Sequence, residues 1–177
     1  MGRKPTITRD GLLDAAEELV REQGGSALTI GALAKAAGIS KGGVQYSFAS
    51  RDDLVRSLVD RWTTRFDAML EDAAADDPVE FIRSYIAATR TSPQAMDAKT
   101  AGLMVSYLEN PEHLREAREW YWGIFDRLTG ASPDAQAARV IFLAVEGLFL
   151  LRINGIDEDG VWTSLLDDVD AVLRRLT

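Results

Sequence analysis

Two sets of residues in this 177-residue chain combine type and spacing in a way that suits chemistry. The first lies between Thr29 and Arg51, where Ser40-Lys41-Gly42-Gly43-Val44-Gln45-Tyr46 follows Ala37-Gly38-Ile39. A glutamine amide both donates and accepts, so Gln45 can pair with N7 and N6 of adenine in the major groove of duplex DNA. Gly42 and Gly43 each cost about 1 kcal/mol relative to alanine inside a helix. A backbone left that bare can approach phosphates or thymine methyls, and N-H groups at a helix start favour anions. The second set is Glu146, inside the apolar run from Val140 to Leu151, with Trp62, Phe66, Met69, Tyr85, Met104, Tyr121 and Phe125. An unpaired buried carboxylate is too costly to stay ionised. Either an arginine of a neighbouring helix or subunit answers Glu146, or it is the counter-charge for a cationic ligand. Methionine is adaptable and aromatic faces attract cations, so the mix suits a cavity for flat apolar molecules.

Composition narrows the alternatives. The chain has no cysteine and one histidine, His113, so thiol nucleophiles, zinc knuckles and most histidine-based triads are excluded. No cofactor and no metal are expected. An all-α enzyme would have to use Glu146, His113 or a tyrosine as acid or base; His113, in the first turn after Asn110-Pro111, reads instead as a surface or interhelix hydrogen-bonding residue. The N-terminal stretch MGRKPTITRD lacks the apolar core of a signal peptide, and no apolar run approaches the roughly 20 residues of a membrane span. A cytoplasmic protein with no membrane partner is expected.

The formal charge of -8 hides an asymmetry. Residues 1–65 hold 10 Lys/Arg against 8 Asp/Glu, whereas the remainder is strongly acidic. The halves therefore face different partners, and only the first is suited to a polyanion.

The elements that position these residues are helices. Asp77-Pro78, Ser92-Pro93, Asn110-Pro111 and Ser132-Pro133 each place a capping side chain before a proline, which marks a helix start. Glu80 follows Asp77 at capping-box spacing. Apolar residues recur at helical intervals and nowhere with sustained period-two alternation. The spacing predicts an all-α fold of nine helices, over 9–24, 29–36, 40–46, 51–75, 78–91, 93–108, 111–129, 133–153 and 159–175. Thr29 and Ser40 fall as N-caps of two short helices, with Leu33, Ala34, Ile39, Val44 and Phe48 as the apolar set that locks them together. That is helix-turn-helix patterning, with glycine supplying the positive φ of a tight turn.

The stretch from Leu28 to Leu54, with GALAKAAGISKGG followed by Phe48, Ser50-Arg51 and Leu54, resembles the DNA-binding domain of tetracycline-repressor-like (TetR family) transcriptional regulators. Leu12-Leu13, Ala15-Ala16 and Gly24-Gly25 fit the same pattern, so the resemblance spans about residues 8 to 60. It implies a three-helix DNA-binding domain at 1–50 and a helical ligand-sensing and dimerisation domain at 51–177. It also implies a dimeric repressor that binds operator DNA and is released by a small molecule of unknown identity. Position by position, Thr29 matches a phosphate-contacting cap, Lys41 and Gly42 match the start of the recognition helix, and Arg51 replaces a phosphate-gripping lysine. Gly43 departs from a small hydroxyl or alanine, and Gln45-Tyr46-Ser47 departs from an aromatic cluster, which leaves Gln45 the leading base reader and Tyr46 beside it. Gly31 stands where some relatives carry a base-reading arginine. Arg3, Lys4 and Arg9 precede or open the first helix as a candidate minor-groove arm.

The last two helices are too apolar for a small monomer, the first over most of its circumference. Together they predict a four-helix interface between two copies through Phe142, Gly147, Leu150, Trp162, Leu165, Leu166 and Val169. Gly147 would permit close approach of two helices there, or pack locally within one chain. The same sequence is compatible with a DNA-binding dimer that takes no ligand, and a dry, filled core between the fourth and eighth helices would mark that case.

Overall fold

A computed structural model of the chain describes residues 7–70, 77–92, 98–153, 156 and 161–177. Among them are nine α-helices: α1 Arg9–Gln23, α2 Ile30–Ala36, α3 Lys41–Ser47, α4 Arg51–Ala68, α5 Pro78–Thr91, α6 Ala98–Leu108, α7 Pro111–Arg127, α8 Pro133–Ile153 and α9 Trp162–Leu176. A 3-10 turn over Gly25–Ala27 joins α1 to α2.

The capping signals do their expected work. Thr29 Oγ1 accepts from the Ala32 N-H at 3.0 Å and Ser40 Oγ from that of Gly43 at 3.1 Å. Asp77, Asn110 and Ser132 accept in the same way at the starts of α5, α7 and α8. Each satisfies a backbone donor that has no partner within its own helix. Glu80 departs from the expected capping box, since its carboxylate takes Arg83 at 2.9 Å. Ser92 is described, but the helix start expected at Pro93 lies outside the described residues, as do 159 and 160.

One helix is shorter than its pattern. The spacing predicts a helix over 51–75, whereas α4 stops at Ala68 and turns through Met69 and Leu70. Leu70 is buried in the second core, so the turn directs it inward rather than continuing the stripe.

Two cores divide the buried residues. The first joins α1, α2 and α3 to the opening turns of α4 through Leu12, Ala16, Leu33, Val44, Phe48, Leu54 and Leu58, and it also takes in Leu103 and Tyr107 of α6. The second packs α5, α7, α8 and α9 around Phe81, Ile82, Ile141, Phe142, Leu166 and Leu173. Helix α6 therefore belongs to the first core although the sequence places it among the later helices.

The last two helices divide the residues expected at an interface between those inside the protomer and those on its surface. Phe142, Trp162 and Leu166 are buried within the protomer, because each points from its helix toward the bundle. Val169 is half-buried against the same core. Leu150, Leu165 and Gly147 lie outside it, and a Cβ on Gly147 would meet nothing within 4 Å. Val140, Leu143 and Leu150 of α8 are exposed at i, i+3 and i+10, with Gly147 between them, and Leu165, Val172 and Leu176 of α9 are exposed as well. An apolar stripe is thus left in solvent beside the second core.

Candidate nucleic-acid interface and ligand cavity

The turn between α2 and α3 closes as the sequence requires. Gly38 has φ +66°, its N-H reaches Lys35 O at 3.3 Å, and the Ile39 N-H reaches Ala34 O at 3.0 Å. This pairing satisfies the last carbonyls of α2 and needs a left-handed residue, which glycine adopts without strain. Val44 and Phe48 then face inward, fully buried, and seat α3 against the unit.

What α3 leaves outside is the set that carries chemistry. Lys41, Gly42, Gly43, Gln45 and Tyr46 are all exposed, and Tyr46 is 95% exposed. The packing makes no use of the bareness of Gly42, because a Cβ there would come no nearer than 3.9 Å to Ser40 Oγ. A Cβ on Gly43 would stand 3.2 Å from Ile39 Cδ1, so the turn itself favours a small residue there. Lys41 lies along α2, with a Cβ on Gly31 falling 3.2 Å from its Cε; the glycine makes room for the lysine stem.

Arg51 is engaged inside the protein. Its Nε donates to Leu28 O at 2.7 Å and its Nη2 to Gly25 O at 3.0 Å, so the guanidinium clamps the 3-10 turn to the start of α4. Arg9 is likewise no free arm: it donates to Ser57 Oγ at 2.6 Å and its guanidinium sits 4.8 Å over the Phe48 ring. Arg3 and Lys4 lie outside the described residues.

Between α4, α5, α6, α7 and α8 is a cavity of about 670 Å³. The structure brings Trp62, Phe66, Tyr85, Met104, Tyr121, Phe125 and Glu146 to its wall, and Phe142 and Leu150 with them. Met69 is not among them; it sits exposed past the end of α4, where its sulfur accepts from Thr91 Oγ1 at 3.6 Å. The wall is a nest of edge-on rings. Phe142 meets Tyr85 and Phe125 at 5.2 Å between centroids, and Phe66 meets Tyr85 at 5.2 Å. Tyr107 and Trp120, which belong to the same aromatic stripe, join the lining, as does Phe142, which the sequence placed at an interface.

No described arginine answers Glu146. Tyr85 Oη donates to Oε1 at 2.6 Å and Tyr121 Oη donates to Oε2 at 2.6 Å, and no described arginine or lysine pairs with the carboxyl. Burial raises the Glu146 carboxyl above the ordinary carboxylate range, while the two phenols pull the other way. Burial first, and then the neighbouring carboxylate, push both tyrosines well above an ordinary phenol, so they stay protonated donors.

A second polar cluster edges the cavity where α4, α6 and α7 meet. Tyr107 Oη donates to Glu116 at 2.9 Å, and Arg56 pairs with the same carboxylate. Burial raises Asp60 beside them. His113 is buried just behind, stacked on Tyr107 at 4.0 Å, with Nδ1 3.2 Å from Tyr107 O and Nε2 3.5 Å from Asp52. This is the interhelix role expected of it, and it does not line the cavity, so His113 and Glu146 form no acid-base pair.

Comparisons with known proteins agree on one family. A family model described as "Tetracyclin repressor-like, C-terminal domain" matches residues 79–176, and one described as "Bacterial regulatory proteins, tetR family" matches residues 12–58. None of the curated protein sequences matches the chain. Among solved structures, a transcriptional regulator from Rhodococcus sp. Rha1 is similar at 19% identity and TM-score 0.69, over 95% of this chain and 96% of that one. The multidrug binding protein EbrR, complexed with malachite green, is similar at 23% identity and TM-score 0.67, over 95% and 96% of the two chains. MexZ, a repressor responsible for antibiotic resistance in Pseudomonas aeruginosa, is similar at 20% identity and TM-score 0.62, over 98% and 96%. At these identities the likeness concerns the fold. No helix among the described residues is long and apolar enough to cross a membrane.

Proposed function

The chain belongs to the tetracycline-repressor-like (TetR) family of bacterial regulators, and on that premise we propose that it is a ligand-responsive repressor. In this reading a cytoplasmic homodimer holds a palindromic operator through residues 1–50. Residues 51–177 pair the two copies and release the DNA when a small hydrophobic or cationic aromatic molecule enters the cavity.

The observation that carries this reading is the double duty of α6. Met104, Tyr107 and Leu108 line the cavity, while Leu103, on the same helix, lies against Gly25 of the N-terminal unit. A molecule that displaces the lining side chains therefore presses on the support of α1 and the 3-10 turn. The volume supports a ligand too, because small-molecule sites run about 300–1,000 Å³, whereas a DNA-binding dimer without a ligand has no need of an unfilled space between α4 and α8. A 100-fold loss of operator affinity needs about 2.7 kcal/mol of coupling, which differential binding of one small molecule can supply.

Pairing of copies is supported by the apolar stripe of Val140, Leu143 and Leu150 with Leu165 and Val172. Two reading helices must meet half-sites about 34 Å apart on one face of the duplex, which a dimer achieves. Leu143→Asp is expected to turn the dimer into monomers in sedimentation velocity and to abolish operator binding.

The test is binding of the purified protein to DNA fragments from around its own coding region, titrated with salt and repeated with Gln45→Ala. Sequence-specific binding that weakens linearly with the logarithm of salt is expected, with a loss of preference worth about 1–3 kcal/mol in the variant. Absence of specific binding at every salt concentration would overturn the repressor reading.

A further inference from the structure

Building on the reading of the cavity as a ligand site, we propose that its ligand is an organic monocation whose charge is received by Glu146 between Tyr85 and Tyr121. Both carboxyl oxygens accept from phenols at 2.6 Å, the short separation of an O–H donor on a charged acceptor. A protonated acid must donate from one oxygen, and with both neighbours already donating, this arrangement is built for the carboxylate. A carboxylate buried there calls for a positive charge, and none of the described cations supplies it. Arg56 is taken by Glu116, Arg139 donates to Leu128 O at 2.6 Å, and Arg152 lies 5.8 Å over the Trp162 ring. Phe66, Phe125, Phe142 and Trp120 line the same space, where a ring face, though not a ring edge, attracts a cation once water is expelled.

The other carboxylates on the cavity wall do not compete for this role. Glu116 already has Arg56 and Tyr107, and Asp60 lies in the field of Arg56. Glu146 is left as the unmatched charge. Cation binding and proton binding at Glu146 compete, so any proton the raised carboxyl still holds passes to solvent as the cation enters. The groups facing Glu146 are Tyr85 from α5 and Tyr121 from α7, with Asp67 of α4 acting on Tyr85. Asp60 and Glu116 stand at the other edge of the cavity.

The experiment uses the full-length protein, without DNA, in equilibrium dialysis against (2-naphthylmethyl)trimethylammonium and 2-neopentylnaphthalene, which share a shape and differ in one charge. The native protein is expected to take the cation about ten-fold or more tightly than its neutral twin. That ratio should fall to about two-fold or less in Glu146→Gln and persist in Asp60→Asn. A pH series on the native protein stands independently of how the variants fold: affinity for the cation rises as pH climbs above the ordinary carboxylate range and Glu146 gives up its proton, and affinity for the neutral twin does not. Equal binding of the two probes, a cation preference that survives Glu146→Gln, or no uptake of either probe by the native protein would each overturn the proposal. Operator binding is measured separately, so failure of this test leaves the DNA-binding reading standing and failure of that reading leaves this one.

Discussion

Leu103 lies so close to Gly25 that a methyl group on the glycine would stand 2.8 Å from Leu103 Cδ1, 2.9 Å from its Cβ and 3.1 Å from its Cα. Nothing with a side chain fits between α6 and the 3-10 turn. Gly25 is not among the glycines with positive φ, so its requirement is closeness and not backbone conformation. The helix that walls the ligand cavity thus touches the DNA-binding unit through a contact with no slack, and interfaces of that kind shift as a unit.

Gly25→Ala is expected to destabilise the protein by about 1–3 kcal/mol through overpacking, a fall of several degrees in Tm. Leu103→Ala alone removes a fully buried side chain and costs about 2–5 kcal/mol. The double variant should lose less than the two losses added, because the new methyl enters the space the leucine vacates. Strict additivity in thermal melts would show that the two residues do not press on each other.

Arg51 separates two roles that a single charge confuses. Arg51→Lys keeps the charge but gives up the fork that joins Leu28 O to Gly25 O. Tm is expected to drop by the equivalent of about 1 kcal/mol, while the salt dependence of DNA binding stays as it was. Arg51→Ala should lose the same stability and, if the residue also meets a phosphate, reduce the salt slope by about 1. An unchanged Tm in both variants would show that the clamp contributes nothing.

Gly42 gives opposite signs for folding and for binding. Alanine there meets no atom closer than 3.9 Å, so Gly42→Ala should stabilise α3 by up to about 1 kcal/mol through helix propensity. Operator affinity should fall, because the added methyl stands where the backbone approaches DNA. Gain of stability with full operator affinity would mean that Gly42 is not at the DNA surface.

Glu146 ties stability to pH. Burial raises its carboxyl in the folded state above the ordinary carboxylate range, so above that range the folded protein holds a proton that the unfolded chain has lost. Stability from this group is therefore greatest at low pH and declines as pH rises through the raised folded value. Glutamine has no such proton, so Tm of Glu146→Gln relative to the native protein should climb as pH rises above the ordinary carboxylate range through the raised folded value. A constant difference across that range would show that burial does not perturb the carboxyl.

Local signals were legible without coordinates where the physics is local. Thr29, Ser40, Asp77, Asn110 and Ser132 cap helices through their own side chains and the next turn of backbone, and the left-handed Gly38 follows from the two-helix spacing. The all-α fold, the exposed face of α3 and the oddity of a carboxyl at Glu146 depend on nothing farther away. Met69 failed because its helical spacing continues a stripe that the chain abandons at Ala68.

The sequence by itself therefore determined the helices, most of their described ends to within a turn though not the end of α4 at Ala68, the helix-turn-helix unit and the presence of a carboxyl among apolar residues. Only the tertiary structure decided which sides of α8 and α9 face the core. Phe142, Trp162 and Leu166 went inward while Val140, Leu143 and Leu165 stayed out, because a helix apolar around most of its surface has no unique face until its neighbours choose one. It also decided that two tyrosines, 61 and 25 residues away in the chain, answer Glu146, and that Leu103 meets Gly25. Contacts between residues so far apart are set by how whole helices pack, and no short stretch of sequence encodes that.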